Sequence, residues 1–482
     1  MKIEQYKKKG SISTALGLLV CGFLGGIVFA DDRPNIVFIL ADDLGWGDFS
    51  SYGHPELETP NIDRIAEEGK LFTQFYVSSG VCSPSRVAFT TGQFPARHGV
   101  HAHFSSVIEN QERNMPNYLD PTVTTLPRLL QESGYATAHF GKWHMSSWGA
   151  DSDSPEPTAY GFDKSLGYLS TGPQLLEDMK KDPYFRAKTT EAIVDETIQF
   201  FKDNPDKPVF VNAWTLIPHT ILNPTPEQME PFMKFAPNIP GTPHAGAKVV
   251  YYSTIADFDT QLGRLVDTLD EMGVGDNTII IITSDNGPED FMLEGHQSSH
   301  AGLGSPGPFR GRKRSLYEGG IRVPLVVRWP AKMEADVVDD SVITAVDFLP
   351  TFAKIAGVEL PAGSYVSDGE DMSLALIGDG FDRVKPLTWA FDFEMTMGHP
   401  IHKNPSLAIR DGDWKLLKNP DGSRVELYNI PNDIMEVDNV AKDYPGLVDQ
   451  LSKKLMNWYN SMPQAPVIKE AGSNDYPWPG TF

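Results

Sequence analysis

The stretch Asn35-Ile36-Val37-Phe38-Ile39-Leu40-Ala41-Asp42-Asp43 decides how the chain folds. Its apolar run is nearly continuous and stops at a pair of carboxylates. Such a run reads as a strand buried on both faces of a sheet. Asn277-Thr278-Ile279-Ile280-Ile281-Ile282-Thr283-Ser284-Asp285-Asn286-Gly287 repeats the design. Pro208 to Ile217 is another such strand, ending in Pro218-His219. Tyr135 to Phe140 is a shorter one, ending in Gly141-Lys142. Polar residues thus follow the carboxyl ends of several core strands, the edge at which open α/β sheets build their sites.

Helical patterns alternate with these strands. Thr59-Pro60 opens one that runs to about Glu68 and closes at Gly69, with proline at the first helical position. Thr125 to Glu132 is similar and closes at Gly134. Ala187 to Lys202 and Val250 to Met272 carry apolar residues at helical spacing, which read as core packing. After about residue 385 the texture changes. Leu407–Arg410, Asp413–Leu417 and Val425–Tyr428 read as short strands separated by Asp411-Gly412 and Asn419-Pro420-Asp421-Gly422, both hairpin signals. A helix from about Leu447 to Tyr459 follows, then a proline- and glycine-rich tail from Met462. The expected fold is α/β: a large mixed, mostly parallel central sheet flanked by helices over residues 31–384. A smaller antiparallel sheet plus helix, in a subdomain at 385–482, completes the substrate cleft.

Composition narrows the function. The 482 residues carry a net charge of -23, which argues against a nucleic-acid partner, because phosphate binding needs basic patches. The start of the chain has the form of a secretory signal: Lys7-Lys8-Lys9, an apolar stretch from Ala15 to Phe29, and a small residue at Ala30. Export to the periplasm or medium, with residues 1–30 removed and no stable membrane insertion afterwards, is the expectation. A retained anchor is the alternative, since the run nears spanning length.

Cys21 lies inside that signal, so the mature chain keeps Cys82 alone and can make no internal disulfide. Cys82 is then a buried spectator or a residue with chemistry. Its surroundings are Val81-Cys82-Ser83-Pro84-Ser85-Arg86. C-x-P-S-R is the pattern that formylglycine-generating enzymes recognise. Oxidation to formylglycine (3-oxoalanine) gives an aldehyde whose hydrate is a geminal diol. One hydroxyl attacks sulfur, and the other later collapses to expel sulfate. Pro84 favours a helical first turn, which puts the residue at a helix N-terminus, where free N–H groups favour an anion.

With these motifs assembled, the chain resembles a type I, formylglycine-dependent sulfatase of the alkaline-phosphatase-like superfamily. The resemblance runs from Pro34 to about residue 440. It rests on the segments already quoted, on Gly141-Lys142-Trp143-His144, and on Arg310-Gly311-Arg312-Lys313 through Tyr317-Glu318-Gly319-Gly320-Ile321-Arg322-Val323-Pro324. It implies one Ca2+ held by Asp42, Asp43, Asp285 and Asn286 with the modified Cys82, and oxygen donors of this kind do suit calcium or magnesium rather than zinc. It also implies Lys142 and Lys313 as sulfate-binding lysines and Arg86 as the holder of the hydrated aldehyde. His144 would lie beside the diol, and His219 would protonate the departing sugar oxygen. The family often has glycines just before the second lysine, whereas this chain has Arg310-Gly311-Arg312-Lys313-Arg314, so Lys313 is assigned from the following Tyr317-Glu318-Gly319-Gly320.

Candidates for the sugar subsite are His98, His101 and His103 after the nucleophile helix, His296 and His300 before the basic cluster, and His402. Arg310 and Arg312 either face a sulfated polymer or pair with carboxylates. The implied activity is sulfate-ester hydrolysis on a sulfated carbohydrate, with a sulfated galactan such as carrageenan first and glycosaminoglycans second, after maturation by a formylglycine-generating enzyme. A phosphonate or phosphate monoester hydrolase, and a non-catalytic glycan-binding protein, stay open as rivals.

Overall fold

Neighbouring residues of the first strand face opposite cores. The computed structural model describes residues 32–148, 152–237, 246–290, 300–378, 380–391 and 402–463. In it Ile36, Phe38 and Leu40 belong to one apolar cluster, while Val37, Ile39 and Ala41 belong to another. Ile279 and Ile281 against Ile280 and Ile282 split in the same way. A strand covered on both sides needs no polar face, which explains the unbroken apolar runs. The first cluster includes residues of the helix Cys82–Thr91; the second includes residues of the helices Phe185–Asp203 and Ala247–Glu271.

The described residues form a nine-stranded sheet from β1 (Asn35–Asp42), β2 (Lys70–Tyr76), β3 (Ala136–Lys142), β4 (Lys164–Tyr168), β5 (Val209–Pro218), β6 (Thr278–Ser284), β7 (Arg322–Arg328), β8 (Val337–Asp339) and β9 (Ile343–Thr344). The order is β4-β3-β5-β1-β6-β7-β2-β8, with β9 also on β2. The pairings from β4 to β6 are parallel, and β7 runs antiparallel to both β6 and β2. The sheet is thus mixed and mostly parallel, as expected. The reading of individual strands did not single out β2 or β7: Lys70 and Thr73-Gln74 interrupt one, and Pro324 the other.

A second sheet comprises β10 (Leu387–Ala390), β11 (Leu407–Asp411), β12 (Trp414–Lys418) and β13 (Glu426–Asn429), all antiparallel. Leu407, Ile409, Leu416 and Leu427 pack on Leu451, Leu455 and Tyr459 of the helix Pro445–Asn460. Ala408, Leu417 and Tyr428, one residue out of phase, join the main core. The chain from Arg33 onward forms a single unit. No helix among the described residues is long and apolar enough to cross a membrane. The expected signal at residues 1–30, His296 and the tail beyond residue 463 lie outside the described residues.

Candidate active site

Parallel pairing of β1 with β6 sets Ala41 opposite Ser284, so Asp42-Asp43 and Asp285-Asn286 leave the sheet side by side. The register between β1 and β5 slips between Leu40 and Asp42, which re-aims the end of the strand. Asp43 then takes φ 69, a left-handed conformation that aspartate tolerates. Its N–H donates to Asp285 Oδ1 at 3.2 Å, and Leu44 N–H donates to Ser284 Oγ at 2.9 Å. The loops are fixed before any ligand arrives.

These carboxylates are buried, and each meets a cation. Lys142 Nζ lies 2.7 and 2.8 Å from the Asp42 oxygens, and Lys313 Nζ lies 2.6 Å from Asp43 Oδ2. Arg86 donates from Nε and Nη2 to Asp285 Oδ2 at 2.9 and 2.6 Å, and from Nη1 to the Lys142 carbonyl at 2.8 Å. Burial alone would raise Asp42, but Lys142, His219, Arg86 and Lys313 together hold it well below the usual carboxylate range. Asp285 goes the other way, to about 8: burial and the neighbouring Asp42 and Cys82 outweigh Arg86.

Asn286 Nδ2 donates to Asp43 Oδ1 at 2.7 Å and to the Gly287 carbonyl at 2.9 Å, but its own Oδ1 is buried with no hydrogen-bond partner among the described residues. Such an orphan costs stability unless something binds it. Ligand atoms of Asp42, Cys82 and Asp285 lie within 4.8 Å of one another, as do those of Asp42, Asp43 and His219. Oxygen atoms in this arrangement, one of them orphaned, fit a hard divalent cation such as Ca2+.

The helix Cys82–Thr91 begins at the nucleophile candidate, with Val81 extended before it and Gly92 left-handed after it. Cys82 Sγ is 3.2 Å from His144 Nδ1, and His144 Nε2 is 3.0 Å from the Phe104 carbonyl. A carbonyl only accepts, so Nε2 carries the proton and Nδ1 presents a lone pair to the nucleophile. Burial, then Lys142 and Arg86, hold His144 well below its ordinary value and keep the ring neutral. His219 Nδ1 is committed to the Thr220 carbonyl at 2.6 Å, leaving Nε2 3.8 Å from Asp43 Oδ2. Burial and Lys313 lower His219 to about 4, against the pull of Asp42 and Asp43.

A cavity of 250 Å³ opens over this cluster, lined by Cys82, Lys142, His144, His219 and Lys313 among others. A roomier hollow of 790 Å³, lined by Lys70, Arg383 and Arg410, holds none of the candidate residues, so chemistry rather than size marks the site.

Of the sugar-subsite candidates, His103 lines the cavity, and its ring lies 6.3 Å from that of His144. His98, His101, His300 and His402 are not among the described lining residues. Arg310 and Arg312 are not there either. Arg310 stacks over Tyr317 at 3.7 Å and donates to the Glu436 carbonyl at 2.9 Å. Arg312 donates to the carbonyls of Glu289, Gly302 and Gly304. Both brace loops through these carbonyls, with the carboxylates of Glu426 and Glu436 acting on Arg310 and those of Asp290 and Asp48 acting on Arg312.

Other cavity residues went unassigned in the sequence. Arg314, next to Lys313, lines the cavity and pairs with Glu289 at 2.5 Å, while Glu289 lies 3.4 Å from Lys313. An acid just beyond Asn286-Gly287-Pro288, answering a basic cluster, was the available signal. Arg186 lines the cavity too and donates to the carbonyls of Leu216, His219 and Thr220. Nothing in the apolar spacing of its helix pointed to that.

Residues 34–358 match the profile of the family described as Sulfatase, and residues 309–461 match one described as N-sulphoglucosamine sulphohydrolase, C-terminal. Steryl-sulfatase of Mus musculus is 31% identical over an alignment of 426 residue positions that covers 72% of this chain and 65% of that protein. N-acetylgalactosamine-6-O-sulfatase of Bacteroides thetaiotaomicron is 27% identical over an alignment of 514 residue positions that covers 88% of this chain and 92% of that protein. The solved structure of Ps i-CgsB in complex with k-i-k-neocarrahexaose has a TM-score of 0.71 and 28% identity, over 88% of this chain and 92% of that one.

Proposed function

The chain belongs to the sulfatase family, and from that premise we propose that it is an exported enzyme that hydrolyses sulfate esters on a sulfated carbohydrate, a sulfated galactan such as carrageenan first. The observation that carries this reading is the convergence of Cys82, His144, Lys142, Lys313 and His219 on one cavity, beside oxygen donors that include the orphaned Asn286 Oδ1. Resemblance to a structure bound to a carrageenan oligosaccharide supports the galactan. The N-acetylgalactosamine sulfatase relative supports glycosaminoglycans as the second substrate class.

Each residue has a task that its geometry suits. Lys142 and Lys313 supply positive charge to the non-bridging oxygens of the ester, in a site largely closed to water where such charge acts strongly. His144 Nδ1, with its lone pair toward position 82, takes the proton from the second hydroxyl of the hydrate as sulfate leaves. His219 Nε2 faces the cavity as the proton donor to the bridging oxygen, and an anionic ester beside it favours its protonated form. Arg86, one helical turn after position 82 and fixed on Asp285 and the Lys142 carbonyl, supplies positive charge to the hydrated aldehyde. Cys82 matured to formylglycine supplies the hydroxyl nucleophile. Asp42, Asp43, Asp285 and Asn286 would hold Ca2+, which supplies charge stabilisation to a sulfate oxygen when bound.

The C-terminal region serves the site by holding the loop that carries Lys313, through the segment before β11 and through β13. Support comes from Leu316 N–H to Asn404 Oδ1 at 2.9 Å, Ser315 Oγ to the His402 carbonyl at 2.8 Å and Tyr317 OH to Glu426 at 2.7 Å.

The test is sulfate release by protein co-produced with a formylglycine-generating enzyme, with the aldehyde verified by mass spectrometry. Substrates are κ-carrageenan and chondroitin sulfate oligosaccharides and a phosphonate monoester. Release of sulfate from a carbohydrate, lost in Cys82→Ala, is the expected result. Matured protein that cleaves only the phosphonate, or nothing, overturns the reading.

A further inference from the structure

The cavity above Cys82 shares a wall with a second hollow. A groove of 230 Å³ lies against it, and Trp148, Tyr168 and Leu169 line both. The chemistry changes across that wall. On the inner side cations crowd around position 82. On the outer side the lining is made of hydroxyl and amide groups: Ser152, Ser170, Thr171 and Gln174, with Lys180 the one charged residue among the described lining. That lysine is engaged with Glu177 at 2.8 Å.

Trp148 is built into the wall. One side of its indole meets the His144 ring, with centroids 5.4 Å apart, yet the residue keeps 38% of its surface exposed. Leu169 holds φ 52, a left-handed conformation uncommon for a leucine, where the two hollows meet. Gln174 is oriented by its own turn. Its Nε2 donates to the Ser170 and Gly172 carbonyls at 3.0 and 2.9 Å. Both amide protons are then spent, and Oε1 accepts nothing among the described residues. Thr171 and Ser152 are likewise anchored, on the Ser154 and Ser147 carbonyls at 2.8 and 3.1 Å.

A pyranose has an apolar C–H face and a rim of hydroxyls. It asks for an aromatic plate and for neutral groups that accept and donate. An anion would ask for free cations, which the described groove lining lacks. We infer that this groove receives the sugar residue joined to the sulfated one, with Trp148 as the stacking plate between the two positions. The enzyme is therefore built for an oligosaccharide rather than a lone sulfated monosaccharide. The inference rests on the proposed sulfatase activity and adds chain length to it.

The experiment compares kcat/KM on galactose and N-acetylgalactosamine monosulfates with that on κ-carrageenan and chondroitin sulfate tetrasaccharides, using matured protein. Wild type should favour the tetrasaccharide by about tenfold or more. Gln174→Ala should lower the tetrasaccharide-to-monosaccharide ratio about threefold to tenfold, the scale of one neutral hydrogen bond. Trp148→Ala should raise KM for the tetrasaccharide more than it lowers kcat, and Trp148→Phe should recover part of the loss. Equal kcat/KM on monosaccharide and tetrasaccharide in the wild type, or a Gln174→Ala loss equal on both, overturns the groove assignment alone. Absence of sulfate release from every substrate overturns the activity itself, and the groove assignment with it.

Discussion

Lys142 Nζ reaches both oxygens of Asp42, at 2.7 and 2.8 Å, with both side chains almost wholly withdrawn from solvent. Lys313 Nζ lies 2.6 Å from one oxygen of Asp43, Oδ2. The lysines assigned to an anion thus lie on the carboxylates assigned to a cation. For both ligands to be held each lysine–carboxylate pair must part, so either ligand frees the group the other needs.

Cation and anion should therefore bind cooperatively. With Cys82→Ala protein stripped by chelator, inorganic sulfate should bind weakly, and Ca2+ should tighten it by about tenfold. Reciprocally, sulfate should tighten Ca2+ by the same factor. Calorimetric titration of each ligand, with and without the other, measures both. Independent affinities would mean that the lysine–carboxylate pairs stay intact in the loaded site.

Lys313→Ala should lower kcat/KM by about a hundredfold or more, the scale of removing one charged contact to a transition state in a closed site. Lys313→Arg should not restore it, because a planar fork cannot replace a compact ammonium between Asp43 and Glu289. Glu289→Gln should cost less, since it leaves Lys313 on Asp43. Initial rates of sulfate release on one oligosaccharide separate the variants.

A buried charge cluster away from the cavity sets a pH dependence of stability. Lys415 Nζ lies 2.9 Å from both Glu318 and Glu436, all three fully buried. Burial comes first among the causes that raise Glu436 to about 7, with Glu318 adding to it against Lys415. A carboxyl raised in the folded state binds more protons there than in the unfolded chain. Its contribution is complete below about 4.5 and is lost as pH rises through about 7. Glu318, held to about 2 by Lys415 and Arg322 despite burial, acts in the opposite direction and only at acid pH. Thermal unfolding should therefore show a fall in Tm between pH 5 and pH 8 that is smaller in Glu436→Gln. An equal fall in both proteins would assign the slope to other groups.

The strands that carry the site were legible because burial on both faces leaves an unmistakable apolar run, and because each run stops at its polar residues. Asp42, Cys82, Lys142 and His219 could be placed at strand ends or a helix start for that reason. β2 and β7 were not singled out, since Thr73-Gln74 and Pro324 disturb the pattern that a solitary strand must show. The arginines were less legible still. Arg310 and Arg312 read as cations that face a sulfated polymer or pair with carboxylates, while the loop carbonyls they also brace, more than a hundred residues away in one case, left no sign in the sequence. Long-range pairing of this kind leaves no periodicity in a sequence. Arg186 and Trp148 reach the cavity through tertiary packing alone.

Gly141, immediately before Lys142, offers a test of how far backbone approach controls the chemistry. It holds φ 104, in a region closed to residues with a Cβ, and an added Cβ would stand 1.9 Å from the Trp214 carbonyl oxygen on β5. Backbone cannot yield as a flexible side chain can, so Gly141→Ala must push β3 and β5 apart. That shift falls on Lys142 and on the Lys142 carbonyl that receives Arg86. The variant should lose about 3 kcal/mol or more of stability, as substitutions at strained backbone sites do. Its folded fraction should release sulfate at a small part of the wild-type rate. Denaturant unfolding gives the first quantity, and rates normalised to aldehyde content give the second. A variant with full activity per folded molecule would mean that the strand ends adjust without moving Lys142.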